Sequence, residues 1–239
     1  MRSVKELTAR PRADQALPRP EVVGDRSRYY LIKRAFDLVF SVAGLLVLSP
    51  VLILVAVLIK LDSAGPVIFR QERVGYDWRR RRQTTFMVCK FRSMNDNCDQ
   101  SLHQELVRDW IRNRKGAEGH TESVKLSNDR RITRIGQFIR KTSIDELPQL
   151  WNVMMGEMSL VGPRPVPLYE VAEYDAWHMR RLDAVPGITG PWQVKGRGLT
   201  SVDGMALMDI EYVERQSLKL DLEILLRTIP VVLSGRGAS

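Results

Sequence analysis

Asp145 and Glu146 stand side by side in the stretch from Lys141 to Pro165, KTSIDELPQLWNVMMGEMSLVGPRP, which ends with Arg164 set between Pro163 and Pro165. Adjacent carboxylates with a nearby guanidinium can form a site. The flanking prolines leave Arg164 little backbone freedom, and such preorganisation suits a bidentate phosphate contact. An arginine covering a helix end is the ordinary alternative. The carboxylates have an ordinary reading too: Ser143 followed three residues later by Glu146 fits a capping box, and acidic residues in a first helical turn offset the positive end of the macrodipole. Other cations sit at chain positions where phosphate could be approached. Lys90 and Arg92 lie at the end of a predicted strand, and Arg197 is bracketed by Gly196 and Gly198, although this loop lacks the spacing of a Walker or dinucleotide motif.

The elements that must carry these residues follow from pattern. Residues 38–59, LVFSVAGLLVLSPVLILVAVLI, form 22 positions without a charge, long enough to reach across hydrocarbon. Pro50 in their middle removes a backbone donor and predicts a break at Ser49-Pro50, each half then reaching only about 15 to 18 Å. The Ser49 hydroxyl could bond a carbonyl that Pro50 frees. Basic residues flank both ends, Arg26, Arg28, Lys33 and Arg34 before and Lys60, Arg70, Arg73 and Arg79 to Arg82 after, so both ends read as cytoplasmic and a re-entrant helix is favoured over a kinked single crossing. Asp37 is expected near the interface, held by Lys33 or Arg34.

Residues 67–71 and 84–91 predict a β-hairpin with Arg79 to Arg82 near its tip, facing water or lipid phosphate. Residues 99–114 and 131–142 carry helical apolar spacing, 115–128 read as a polar loop, 169–184 as a helix, 186–190 as a loop, and 205–227 as a helix running until Pro230. His103, His120 and His178 are scattered singly and suggest no metal role.

At 239 residues and 44% hydrophobic content, the chain suits one domain with appendages. A net charge of +9 calls for an anionic partner: nucleic acid, lipid headgroups or a phosphorylated small molecule. The densest charge lies beside the apolar run, which favours membrane lipid and argues against nucleic acid. Cys89 and Cys98 make no disulfide framework and no Cys/His cluster has zinc spacing, so a reducing cytosol is the default. The first 30 residues are charged, contain Pro11, Pro18 and Pro20, and read as a flexible tail. The expected fold is α+β, helix-rich with a small β-hairpin: a monotopic membrane protein with a tail over 1–30, a re-entrant, Pro-broken helix over 31–62 and a cytoplasmic catalytic domain over 63–239.

Ser49-Pro50, KFRSM at 90–94, RKTSIDELPQLWNV at 140–153, MSLVGPRP at 158–165 and PGITG at 186–190, in this order, closely resemble the bacterial sugar transferase family, the monotopic polyprenyl-phosphate phosphoglycosyl transferases. The resemblance covers residues 31–239 and implies the short, catalytic-domain form. It implies transfer of a sugar 1-phosphate from a UDP-sugar to undecaprenyl phosphate at the cytoplasmic face of the bacterial inner membrane, with release of UMP, in exopolysaccharide, capsule or O-antigen assembly. By the same resemblance Asp145 is the nucleophile, Glu146 helps hold Mg²⁺ beside it, Lys90, Arg140 and Arg164 match phosphate-binding positions, and Ser49 and Pro50 match the membrane-helix break. Arg92 and Arg197 join the candidate phosphate ligands. A homodimer is conceivable. Pro191 and Lys195 depart from the family pattern, which leaves the sugar open, and Glu157 stands where Asp is frequent. A non-enzymatic adaptor binding anionic lipid is the alternative of a different class.

Overall fold

The computed structural model describes residues 26–96, 105, 108, 111, 129, 131–195 and 201–234. Its longest element is α1 (Ser27–Asp62), 36 residues and so about 54 Å. It begins inside the segment expected to be tail, and it runs through Pro50 without interruption. The expected break therefore does not show, for a local reason. Pro50 has no N–H to give the carbonyl four residues back, that of Leu46, and the Ser49 hydroxyl donates to that oxygen at 2.8 Å. The freed carbonyl is satisfied and the helix continues.

One stripe of α1 is buried along its length: Tyr30, Lys33, Asp37, Ser41, Val55 and Ile59. The rest is an exposed apolar surface, with Leu46 at 70% and Val47 at 76% exposure. Both ends dock on the same domain. Lys33 Nζ donates to Asp221 at 2.7 Å and Arg34 to the carbonyls of Val153 and Met154, while Val55 and Ile59 pack with Phe91 and Ile139. Asp37 is held by the backbone N–H of Leu160 at 2.9 Å, while Lys33 and Arg34 direct their hydrogen bonds elsewhere. Lys33, Asp37 and Ser41 thus face protein, where both charges have a partner, and lipid-compatible side chains face outward.

The hairpin forms as β1 (Ile68–Asp77) and β2 (Arg82–Phe91), antiparallel from Ile68↔Phe91 to Asp77↔Arg82 and longer than expected. Then come α2 (Arg134–Lys141), a 3-10 turn (Ile144–Glu146), α3 (Gln149–Met155) and β3 (Ser159–Val161). After α4 (Leu168–Val171) and a 3-10 turn (His178–Leu182), β4 (Gly187–Thr189) pairs in parallel with β3, followed by α5 (Pro191–Lys195), α6 (Val202–Arg215) and α7 (Leu218–Ser234). The architecture is helix-rich α+β with a small antiparallel hairpin, as the sequence predicts.

Several expected boundaries move. The helix over 169–184 is split, because the Asp175 N–H donates to Nδ1 of His178 at 3.1 Å, a side chain taking the place of a helical carbonyl. The helix over 205–227 is two helices, with the Ser217 hydroxyl accepting from Leu220 N–H at the start of α7, and Pro230 lies inside α7 without ending it. Residues 186–190 contain a strand, β4. The expected loop over 115–128 lies outside the described residues, as does all of the helix over 99–114 except Glu105, Arg108 and Ile111, which are helical.

Candidate active site

The carboxylate pair is not at a capped α-helix start. Ser143 adopts φ 58°, the left-handed conformation that commonly ends a helix, so it terminates α2 and makes no side-chain cap to Glu146. Asp145 and Glu146 ride on the 3-10 turn that follows, and the first regular helix after them starts beyond Pro148. The capping-box expectation fails here because Ser143, left-handed at the end of α2, makes no side-chain cap hydrogen bond. Ile144 packs against the cluster of Val55, Ile59, Phe91 and Ile139, which ties the carboxylate turn to the C-terminal half of α1.

The pleat of the hairpin brings cations to this turn. Phe69, Gln71 and Arg73 pair with Lys90, Val88 and Phe86, so Arg73 and Lys90 share one face. Lys90 Nζ donates to Glu146 Oε1 at 2.9 Å, and Arg164 approaches the same oxygen at 3.5 Å. A pocket is lined by Arg73, Lys90, Glu146, Gln149 and Arg164, with Val88, Pro165, Gly187 and Ile188 as its apolar wall. Arg73 donates to the carbonyl of Pro165 at 2.9 Å while its Nε is buried without a partner. It braces the Pro-Arg-Pro turn and adds a third cation, one that the sequence reading did not single out. The signal was present: Arg70 and Glu72 alternate outward, which turns Gln71 and Arg73 inward.

Charge and burial work against each other in this pocket. Burial pushes the Asp145 carboxyl above the usual carboxylate range, against the pull of Lys90, and Glu146 pushes the same way as burial. Lys90 lies below the ordinary lysine value, from burial first, with Glu146 opposing and Arg164 adding. Arg73 is pushed down to about 10 by burial and by Arg164. A group of cations desolvated together gains most from an anion, and a diphosphate carries the matching charge.

Of the other candidates, Arg140 lies close enough for its charge to draw down Asp145. Arg92 does not come to the site. Its guanidinium donates to Ser63 O at 2.7 Å and Ser63 Oγ at 2.9 Å and also reaches Ala64 O, so it caps the C-terminal end of α1, where carbonyls lack helical donors. Arg197 lies outside the described residues. Two adjacent carboxylates suit Mg²⁺, which commonly takes one or two protein carboxylates and fills its shell with phosphate oxygens and water. Among the described residues no group of three or more His, Cys, Asp or Glu is arranged to hold a metal ion.

Behind the pocket, Asn152 accepts from Cys89 N–H at 2.9 Å and donates to Met87 O at 2.8 Å, fixing α3 to β2 beside Lys90; Glu157 Oε2 accepts from Asn152 at 2.7 Å. Arg181 and Asp209 form a buried ion pair with contacts of 2.6 and 3.1 Å, and Arg181 also donates to Tyr174.

The profile described as bacterial sugar transferase matches residues 28–235. The chain belongs to the bacterial sugar transferase family. Among the chain's curated relatives, the UDP-galactose-lipid carrier transferase of Erwinia amylovora is 45% identical over 207 residues, 87% of this chain and 41% of the relative. The undecaprenyl-phosphate glucose phosphotransferase of Komagataeibacter xylinus is 43% identical over 223 residues, 87% and 37% respectively. The exopolysaccharide production protein ExoY of Sinorhizobium fredii is 39% identical over 206 residues, 86% of this chain and 87% of that protein. The chain thus spans about two fifths of the length of the first two relatives and most of the third. The 36-residue α1 is long and apolar enough to cross a membrane, which supports membrane association of the chain.

Proposed function

We propose that this transferase moves a sugar 1-phosphate from a UDP-sugar to undecaprenyl phosphate at the cytoplasmic face of the inner membrane, an early membrane step in exopolysaccharide-type glycan assembly. The observation that carries the reading is the convergence of Lys90, Arg73 and Arg164 on Glu146, in the turn that also carries Asp145. The names of two relatives, a UDP-galactose-lipid carrier transferase and an undecaprenyl-phosphate glucose phosphotransferase, support the substrate class.

In this reading Asp145 attacks the β-phosphorus of the donor. A carboxylate-oxygen-to-phosphorus bond forms, the bond to the bridging oxygen breaks, and UMP leaves with the electron pair. The acyl phosphate left on Asp145 is then attacked by an oxygen of undecaprenyl phosphate, which frees the carboxylate and yields the polyprenyl-diphospho-sugar. Splitting one transfer into two lets a single pocket serve a soluble donor and a lipid acceptor in turn. Lys90, Arg73 and Arg164 offset the charge of the diphosphate and of the leaving UMP. Mg²⁺ bound at Asp145 and Glu146 would supply further neutralisation of phosphate oxygens. Ile144 joins the cluster that also holds Val55 and Ile59 of α1, which supports a reading in which the carboxylates meet the acceptor's headgroup near that helix.

The test is release of UMP by the purified chain given UDP-sugars, undecaprenyl phosphate and Mg²⁺. Release with one or more sugars is expected; none with any sugar would leave the adaptor reading in its place. Arg73→Gln should lower kcat/KM by roughly ten- to a hundredfold, the worth of one charge-assisted phosphate contact. Kinetics equal to wild type would confine Arg73 to bracing the Pro165 carbonyl.

A further inference from the structure

The hairpin tip carries four consecutive arginines, Arg79 to Arg82, all exposed. The catalytic reading makes no use of them. The turn is built rather than loose: Asp77 Oδ1 accepts the backbone N–H groups of Arg79 at 3.0 Å and Arg80 at 3.1 Å, and Arg81 takes φ 51° to close the loop. Trp78 stacks on Tyr30 with ring centroids 5.3 Å apart, and the Arg79 guanidinium lies over the Trp78 ring at 5.3 Å. That stack fixes the tip against the first turns of α1, where exposed Arg28 and the first lipid-compatible side chains, Leu31 and Ile32, are found. The same end of α1 meets the start of α7 through Tyr29 and Lys33 on Asp221, and α7 exposes Leu218, Leu222 and Leu226. Asp77 is spent on the turn and stands 3.8 Å from Arg80, and Asp183 is engaged by Gln83.

We infer that the tip is a docking surface for anionic phospholipid headgroups, a basic clamp at the edge of the apolar surface of α1. The chemistry is direct. Guanidinium groups pair with phosphate in bidentate fashion, an aromatic at the rim suits the membrane interface, and a basic cluster beside a membrane element gains from an anionic leaflet. The stack on Tyr30 makes the clamp rigid with the helix, so headgroup binding also sets how α1, and with it the carboxylate turn seated on α1, lies relative to the bilayer. The inference stands independently of the catalytic reading, because it needs only the placement of charge beside the apolar helix.

The experiment measures partition of the purified full chain, diluted from detergent, onto sedimentable vesicles of phosphatidylcholine alone or with about one third phosphatidylglycerol. Wild type should bind the anionic vesicles more tightly by about fivefold per arginine engaged, and the gain should vanish near 0.5 M salt, where screening is short-ranged. The variant carrying Arg79→Gln, Arg80→Gln, Arg81→Gln and Arg82→Gln should keep the phosphatidylcholine partition, which the apolar helix provides, and lose the gain. The corresponding four-lysine variant should recover much of it. A glutamine variant that keeps the gain overturns the inference. So does one that loses binding to both vesicle types alike, which would make the tip a support for the fold, or one that keeps the gain while losing affinity for a single-stranded oligonucleotide.

Discussion

Asp145→Asn should reduce UMP release by three orders of magnitude or more, on the scale seen when a covalent nucleophile is removed. An amide oxygen of nearly the same shape cannot displace UMP and form the acyl phosphate, so the first half of the exchange is lost along with the second. The fold should not notice. Burial holds the Asp145 carboxyl above its ordinary range despite Lys90, so its charge is disfavoured where it stands, and a neutral isostere relieves that cost. The melting temperature should stay the same or rise, as happens when a site kept for chemistry is relaxed. The measurement is paired: turnover with the preferred UDP-sugar, and thermal unfolding of the same preparation. Activity within tenfold of wild type would remove Asp145 as nucleophile, while lost activity with a lowered melting temperature would point to damage rather than chemistry.

Gly187→Ala should destabilise the domain by about 3 kcal/mol or more, or prevent folding. A Cβ at this position would lie 2.0 Å from the backbone nitrogen of Gly162 and 2.5 Å from the carbonyl carbon of Val161. No side-chain rotation relieves a clash between backbones; β3 and β4 must separate, and with them the hydrogen bonds that join Ser159 N–H to Pro186 O and Gly187 N–H to Pro163 O. The Pro-Arg-Pro turn that holds Arg164 would move too. A loss of about 6 to 12 °C in melting temperature is the expected reading for a domain of this size. Gly44→Ala is the control, since its added Cβ meets only Leu150 Cδ1, at 3.2 Å on a flexible side chain, and should cost little. Equal melting temperatures for wild type and Gly187→Ala would show that the two strands can part freely.

Much of this was legible in the chain. The uncharged run of residues 38–59 specifies an apolar helix whatever surrounds it, since a stretch of that length without charge has few other ways to satisfy its backbone away from water. The β-formers of residues 67–71 and 84–91 specify the hairpin, and the arginines between them its basic tip, though not how far the strands run toward that tip. Ser49 beside Pro50 carries its own remedy for the missing donor, and the hydroxyl indeed reaches the Leu46 carbonyl. What local pattern could not weigh was the outcome of that bond: it keeps α1 continuous where a break was expected.

Ser143 and Glu146 have the spacing of a capping box, and that spacing is the same whether Ser143 opens a helix or closes one. The folded chain takes the latter: Ser143 is left-handed at the end of α2, and Ile144 after it joins the cluster of Val55, Ile59, Phe91 and Ile139. The cations tell the same story. Lys90 and Arg92 are two residues apart on one strand and look alike in sequence, yet Lys90 meets Glu146 and Arg92 caps α1, because β2 ends between them and the chain turns beneath the helix. Arg73, on the other strand, arrives beside Lys90 through cross-strand register alone. The sequence by itself determined the long apolar helix, the hairpin and the carboxylate pair, since periodicity and residue type act locally. Only the tertiary structure decided which cations converge on that pair, because a charge finds its partner through contacts between residues far apart in the chain.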